Sequence, residues 1–189
     1  MTTGRRLILK LGMLGLMPFS AFAVCRQTEP NALGPFYRRD APFRSAIAAP
    51  DEPGQVLRVA GKVSGVGGCR PLAGAVVDIW HANEEGQYYD VGSEAGSDPQ
   101  GYRLRGRLLT SGAGEYEFLT ILPGTYGSRP RHIHYVVHHP QAGSLITQLY
   151  FEGDPRLDSD FLARESLVMA IDKSSGDTFK IRFDIVLGG

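Results

Sequence analysis

His132 and His134 stand two residues apart in the run His132-Ile133-His134-Tyr135-Val136-Val137-His138, directly after Arg129-Pro130-Arg131. The run is otherwise β-branched and aromatic and reads as strand. Successive side chains in a strand point to opposite faces, so the two imidazoles emerge together while Ile133 and Tyr135 go the other way. They are then close enough to share one ion. Imidazole nitrogen suits iron, copper, zinc and nickel alike, so the pair proposes a metal without naming it. No HExxH is present, and the HxxxH spacing of His134 and His138 falls in a strand-like run and not on a helix, which removes the usual zinc hydrolase patterns. The donors that cluster before the pair are tyrosines: Tyr88 and Tyr89, then Tyr126 in Leu122-Pro123-Gly124-Thr125-Tyr126, close enough in sequence to reach His132. A phenolate is a hard anionic oxygen donor that pairs with ferric iron, and a bound cation lowers the phenol's pKa.

The elements that must position these donors are short. Strand-like runs cover 56–63, 75–80, 102–109, 115–120, 132–138, 145–151 and 179–187. Glycine-rich and proline-containing turns separate them, among them Gly65-Val66-Gly67-Gly68 and Gly153-Asp154-Pro155. Several short, mostly alternating strands punctuated in this way predict a mainly β protein, a β-sandwich. One helix is expected over 158–164, with Asp or Ser as its cap. Residues 24–53, rich in proline, charge and aromatics, read as an extended N-terminal arm. No internal repeat and no second domain is visible, and 189 residues suit a single domain of 24–189 with a sizeable core.

Residues 1–23 are set aside. Arg5 and Arg6 precede an apolar stretch that ends in Ala21-Phe22-Ala23, the pattern of a cleaved signal peptide. The paired arginines fit the twin-arginine type, with an ordinary secretory signal as the alternative. An exported protein, periplasmic or extracellular, is therefore expected, with no stable membrane insertion after processing. Removal of this segment leaves 17 basic and 20 acidic side chains, a net charge of −3. No basic patch suggests nucleic acid and no polybasic segment suggests lipid, so the expected partner is a small molecule. The two cysteines, Cys25 and Cys69, could form a disulfide in an oxidising compartment.

The segments Asp78-Ile79-Trp80-His81-Ala82-Asn83-Glu84-Glu85-Gly86-Gln87-Tyr88, Gly114 to Tyr126, Arg129 to Tyr135 and Thr147 to Pro155 together resemble the intradiol ring-cleavage dioxygenases. The ending Arg182-Phe183-Asp184-Ile185-Val186-Leu187 resembles the protocatechuate 3,4-dioxygenase branch. The likeness covers most of 24–189 in the expected order. It implies one non-haem Fe(III) per chain, held by Tyr88, Tyr126, His132 and His134. Tyr89 competes for the first place, and the spacing from Trp80 through Gly86 favours Tyr88. Arg129 corresponds to an arginine that faces the substrate, where a guanidinium can stabilise charge developing on the ring. Trp80 and Gln148 match pocket residues, and Gly34-Pro35-Phe36-Tyr37 resembles a segment that lines the pocket, which makes Pro35 and Tyr37 candidates too.

The implied reaction inserts both atoms of O2 into a catechol between its hydroxyls and yields a muconate-type diacid. Tyr126 is the tyrosine implied to leave the metal and act as base. The partners are then a catechol and O2, and a homo-oligomer is compatible with the reading. Two features depart from the family pattern. His81 stands where glutamine is common, and the stretch from Tyr126 to Arg129 is short, which implies a more open pocket. The principal rival is a non-catalytic, secreted transthyretin-like or carboxypeptidase-regulatory-like binding module, whose strand rhythm is similar but needs neither His-x-His nor Arg129. A zinc or copper sandwich enzyme with both tyrosines as bystanders is the second. His81, His138 and His139 read as structural or exposed.

Overall fold

The computed structural model describes residues 25–89, 102–174 and 176–188. The expected signal segment 1–23 lies outside the described residues. Among the described residues nine strands form: β1 (Val56–Gly65), β2 (Val76–Trp80), β3 (Arg105–Leu109), β4 (Glu115–Ile121), β5 (His132–His139), β6 (Gly143–Phe151), β7 (Val168–Met169), β8 (Phe179–Arg182) and β9 (Ile185–Leu187). They form two sheets. One has the order β4-β1-β8 with β9 also on β1, and the other has the order β3-β2-β5-β6-β7. The chain is a β-sandwich, and its core lies between the inner faces, with Leu57, Val59 and Phe118 from one sheet against Val77, Ile79, Ile133, Tyr135, Val137 and Leu149 from the other.

Two expectations are corrected. No α-helix forms over 158–164: two 3-10 turns, Leu157–Ser159 and Glu165–Leu167, flank a loop instead. Asp160 explains the difference, because its Oδ1 accepts the N–H of Leu162 at 2.9 Å and its Oδ2 is bonded elsewhere. Short acidic side chains compete in this way with helical backbone pairing. The final run, read as one strand over 179–187, is two. β8 and β9 pair parallel with β1 in one continuous register, Leu57↔Phe179 through Gly65↔Leu187. At the break, Lys62 N–H bonds the Asp184 side chain at 2.9 Å and the Phe183 carbonyl turns inward to accept Tyr116 Oη–H at 2.6 Å.

The register of the second sheet sets up the site. Antiparallel pairing opposes Trp80 to His134 and His134 to Gln148. It likewise opposes His132 to Tyr150. Directly opposed residues share a face, so His132, His134, Trp80, Gln148 and Tyr150 all stand on the outer face, away from the sandwich core. An outer face is normally solvated. Here residues 25–53 lie across it and bury one end.

Candidate metal centre

Both imidazoles are buried, and their Nε2 atoms face each other at 3.1 Å. His132 Nδ1 lies 2.8 Å from the carbonyl of Pro130. A carbonyl only accepts, so Nδ1 carries the proton and the Nε2 lone pair is free to point into the cluster. His134 is fixed by packing. Trp80 stacks on it with ring centroids 4.7 Å apart and planes within 4°. On the arm, Gly34 has φ +74°, and a Cβ there would lie 2.9 Å from His134 Cε1, so only glycine fits against the ring. His134 Nδ1 is turned toward the Ala32 backbone without a fully formed hydrogen bond. Burial lowers the pKa of His132 to about 4 and holds that of His134 well below the ordinary imidazole value, so both rings are neutral at physiological pH.

Tyr88 reaches the pair from the loop after β2, with Oη 3.5 Å from His132 Nε2. Tyr126 meets the edge of Tyr88 with ring centroids 5.4 Å apart. Backbone contacts bring the two tyrosines together: Gly124 N–H donates to Asn83 O at 2.8 Å, and the Asn83 side chain caps the 83–87 turn through the N–H groups of Glu85 and Gln87. Tyr89 turns the other way, donating to Glu52 at 2.7 Å beneath the Arg103 guanidinium. Burial raises the Tyr88 pKa, so its phenolate form requires a nearby cation.

Arg129 closes one side. Its Nη2 lies 3.0 Å from Gln148 Oε1, 2.7 Å from Tyr150 Oη and 2.9 Å from Asp160 Oδ2. Gln148 in turn donates to the Ala32 carbonyl at 2.7 Å, which ties the arm to the sheet. Of the arm residues read as pocket candidates, Pro35 is exposed on a turn. Tyr37 packs on Trp80 at 4.9 Å and donates to Asp78 at 3.1 Å, so its hydroxyl is directed away from the histidines. Phe36, between them, is the arm side chain that enters the cluster: it stacks on Tyr88 at 4.1 Å and meets the Tyr126 edge at 5.2 Å.

Four residues of the site carry no individual sequence reading: Phe36, Arg105, Tyr150 and Asp160. Tyr150 follows from alternation, since it shares a face with Gln148 two residues away. Arg105 is buried and donates to the carbonyls of Phe36 at 2.6 Å and Tyr89 at 3.3 Å, fixing the arm and the tyrosine loop together. Nothing local in the sequence distinguishes it or Asp160. His81 is buried and bonded to Thr120 Oγ1 at 2.6 Å and to the Ala82 carbonyl at 2.7 Å, while His138 is exposed and pairs with Ser144.

His132 Nε2 is an unprotonated acceptor 3.1 Å from His134 Nε2 and 3.5 Å from the Tyr88 hydroxyl, so its lone pair points into the cluster, where a cation can be held. Among the described residues no group of three His, Cys, Asp or Glu side chains forms a metal site. The donors gathered at the pair are two imidazole nitrogens and the Tyr88 hydroxyl, with the Tyr126 ring packed against Tyr88. This set fits a ferric ion.

The fold is a β-sandwich that carries a buried cluster of two histidines and a tyrosine on the outer face of one sheet, with a second tyrosine packed against it. A family profile described as Dioxygenase matches residues 33–189. Chlorocatechol 1,2-dioxygenase of Rhodococcus opacus is 34% identical over 85% of this chain and 72% of its own length. Catechol 1,2-dioxygenase 1 of Acinetobacter lwoffii is 34% identical over 82% of this chain but only 59% of its own length. The chain thus spans about three fifths to three quarters of these two relatives. Among solved structures, the dioxygenase domain of a dioxygenase carbohydrate-binding protein fusion from Streptomyces sp. SirexAA-E superposes with a TM-score of 0.76. That match has 35% identity and covers 86% of this chain and 99% of that one. The chain belongs to the intradiol ring-cleavage dioxygenases. Nothing in these matches supports the reading as a non-catalytic sandwich module.

Proposed function

We propose that this protein opens a catechol ring between its two hydroxyls with O2, using one ferric ion held by His132 Nε2, His134 Nε2 and the hydroxyls of Tyr88 and Tyr126. The observation that carries the reading is the pair of Nε2 atoms 3.1 Å apart, one with its tautomer locked by Pro130 and both neutral through burial, beside the Tyr88 hydroxyl. A ferric ion at this set supplies Lewis acidity and a template for the paired oxygens of the substrate.

The remaining work belongs to the chain. Tyr126 is half-buried where Tyr88 is buried, so it is the tyrosine with room to swing out and take a catechol proton on its Oη. Arg129 presents a fixed positive charge on the substrate side and stabilises negative charge building on the ring. Trp80 and Gly34 hold His134 from two sides, and Phe36 backs Tyr88, so the donors cannot relax apart. Gln148 links Arg129 to the arm. Trp80 and Gln148 therefore act by orienting groups that touch the substrate, and the arm forms one pocket wall through Phe36, with Pro35 at its rim and Tyr37 bracing Trp80.

Export is proposed on the same footing. The Cys25–Cys69 disulfide, with Cα atoms 5.2 Å apart, suits an oxidising compartment and agrees with the signal-like start.

Iron loading tests the ligand set. The iron-loaded protein is expected to be red-brown through tyrosinate-to-iron charge transfer, with a band that Tyr126→Phe shifts or weakens. A colourless protein with full iron content overturns the assignment. Oxygen uptake over a panel of catechols tests the reaction: one O2 is consumed per ring opened to a diacid, and uptake with none of them refutes the proposed activity.

A further inference from the structure

Arg129 is held by more partners than any substrate contact alone would require, and only one of those found among the described residues is charged. Gln148 and Tyr150 are neutral acceptors; Asp160 is an anion. Its carboxylate lies 2.9 Å from Arg129 Nη2 and 3.0 Å from Nε, with a side chain only 3% exposed against 19% for the arginine. The second oxygen, Oδ1, accepts the Leu162 N–H at 2.9 Å, and the Asp160 carbonyl accepts the Ala163 N–H at 3.0 Å. Asn31 of the arm fastens the same loop through the Leu162 carbonyl at 2.8 Å. The carboxylate is therefore tied to its own loop through Oδ1 while Oδ2 meets the guanidinium.

An arginine side chain has many rotamers, and its position decides what it can stabilise. A pair as buried as this one escapes most of the solvent screening that makes exposed ion pairs weak. Two sides of the guanidinium are thus fixed: Asp160 takes Nε and Nη2, while Gln148 and Tyr150 take Nη2 from the sheet. Tyr150 stands between Arg129, whose guanidinium carbon is 5.9 Å from its ring centre, and His132, whose ring centroid is 6.1 Å away. That places the charge beside the histidine pair without contact to it.

We propose that Asp160 is the positioning residue for Arg129, and that the 160–163 loop governs turnover from outside the ligand set. The proposal rests on the reading of Arg129 given above. Asp160 touches neither substrate nor metal donors. It acts by keeping the guanidinium in one place.

Four measurements on iron-loaded protein decide it. Asp160→Asn is expected to keep the visible colour and to bind catechol anaerobically within about twofold of the parent, while kcat falls about tenfold to a hundredfold, the size of loss that a misplaced catalytic group produces. In the Arg129→Ala background, adding Asp160→Asn is expected to change kcat by less than about twofold, because residues acting through one another are not additive. Parental kcat in Asp160→Asn, or losses that multiply in the double variant, overturn the proposal. If Arg129→Ala alone keeps the parental kcat, it is the reading of Arg129 that fails. A crystal structure of Asp160→Asn then judges positioning by itself: Arg129 leaving Gln148 and Tyr150 supports it, and an unmoved guanidinium refutes it. Should the asparagine variant not fold, Asp160→Glu replaces it, with lowered kcat at unchanged colour in support and parental kcat against.

Discussion

His81 is one of three histidines that this fold keeps neutral by burial, and it is the one outside the proposed ligand set. Desolvation lowers its pKa to about 4, against a hydrogen bond to the Ala82 carbonyl that raises it. The carbonyl fixes the proton on Nδ1, so Nε2 accepts the Thr120 hydroxyl. In the unfolded chain the ring titrates near 6.5, so between that pH and about 4 the unfolded state binds a proton that the folded state refuses. Stability is therefore complete above pH 6.5 and is lost as pH falls toward 4, by roughly 3 kcal/mol for this one group. His81→Gln keeps a donor and an acceptor but does not titrate. We expect urea denaturation of the metal-free variant between pH 7 and 4 to show a shallower decline than the parent. Parallel curves would mean that His81 is not the acid-sensitive group.

At the scale of the elements, the strand carrying the histidines was legible and the geometry around it was only partly so. Alternation in 132–138 placed both imidazoles on one face, because a strand's period of two leaves no other choice once the strand is recognised. The Pro-Gly-Thr-Tyr turn marked Tyr126 for the same strand's approach. Asp160 was not legible: its partner is 31 residues away and its own segment read as helix, which the carboxylate itself prevents. Arg105 was hidden inside a run taken as ordinary strand, since burial of a charge depends on where the arm lies. The loop before Tyr88 and the loop before Tyr126 approach each other backbone to backbone. A Cβ on Gly124 would lie 2.2 Å from the Glu84 carbonyl oxygen and 2.5 Å from Gly86 N, backbone atoms that cannot give way cheaply. Gly124→Ala should therefore separate the two tyrosine loops. The expected result is a protein that folds with a melting temperature lower by several degrees, as about 1–3 kcal/mol of overpacking strain would produce, and that no longer develops the full red-brown band on iron loading. Parental colour and stability together would show that the loops can part without disturbing the donors.

For the molecule as a whole, residues 25–53 behave as a strap across both sheets. Thr28 exchanges hydrogen bonds with Val186 of β9 at 3.1 and 2.9 Å, Asn31 N–H reaches the Ile146 carbonyl of β6 at 2.8 Å, and Ile47 N–H reaches the Leu119 carbonyl of β4 at 3.0 Å. Between these anchors lie Gly34 against His134 and Phe36 against Tyr88. The strap's first described residue is Cys25, bonded to Cys69 in the loop after β1, a sequence separation of 44. In the chain-entropy account, closing a loop of that size removes about 4 kcal/mol of freedom from the unfolded state. Replacing both cysteines by serine should then lower stability to denaturant by roughly 2–4 kcal/mol. The site should respond unevenly. His132 and His134 come from β5 and the tyrosines from loops pinned by Asn83 and Gly124, so the iron band should persist. The wall supplied by Gly34 and Phe36 depends on the strap, so KM for catechol should rise while kcat changes less. An unchanged KM with lowered stability would confine the disulfide's effect to the unfolded chain, and loss of the band instead would show that the strap holds the donors themselves.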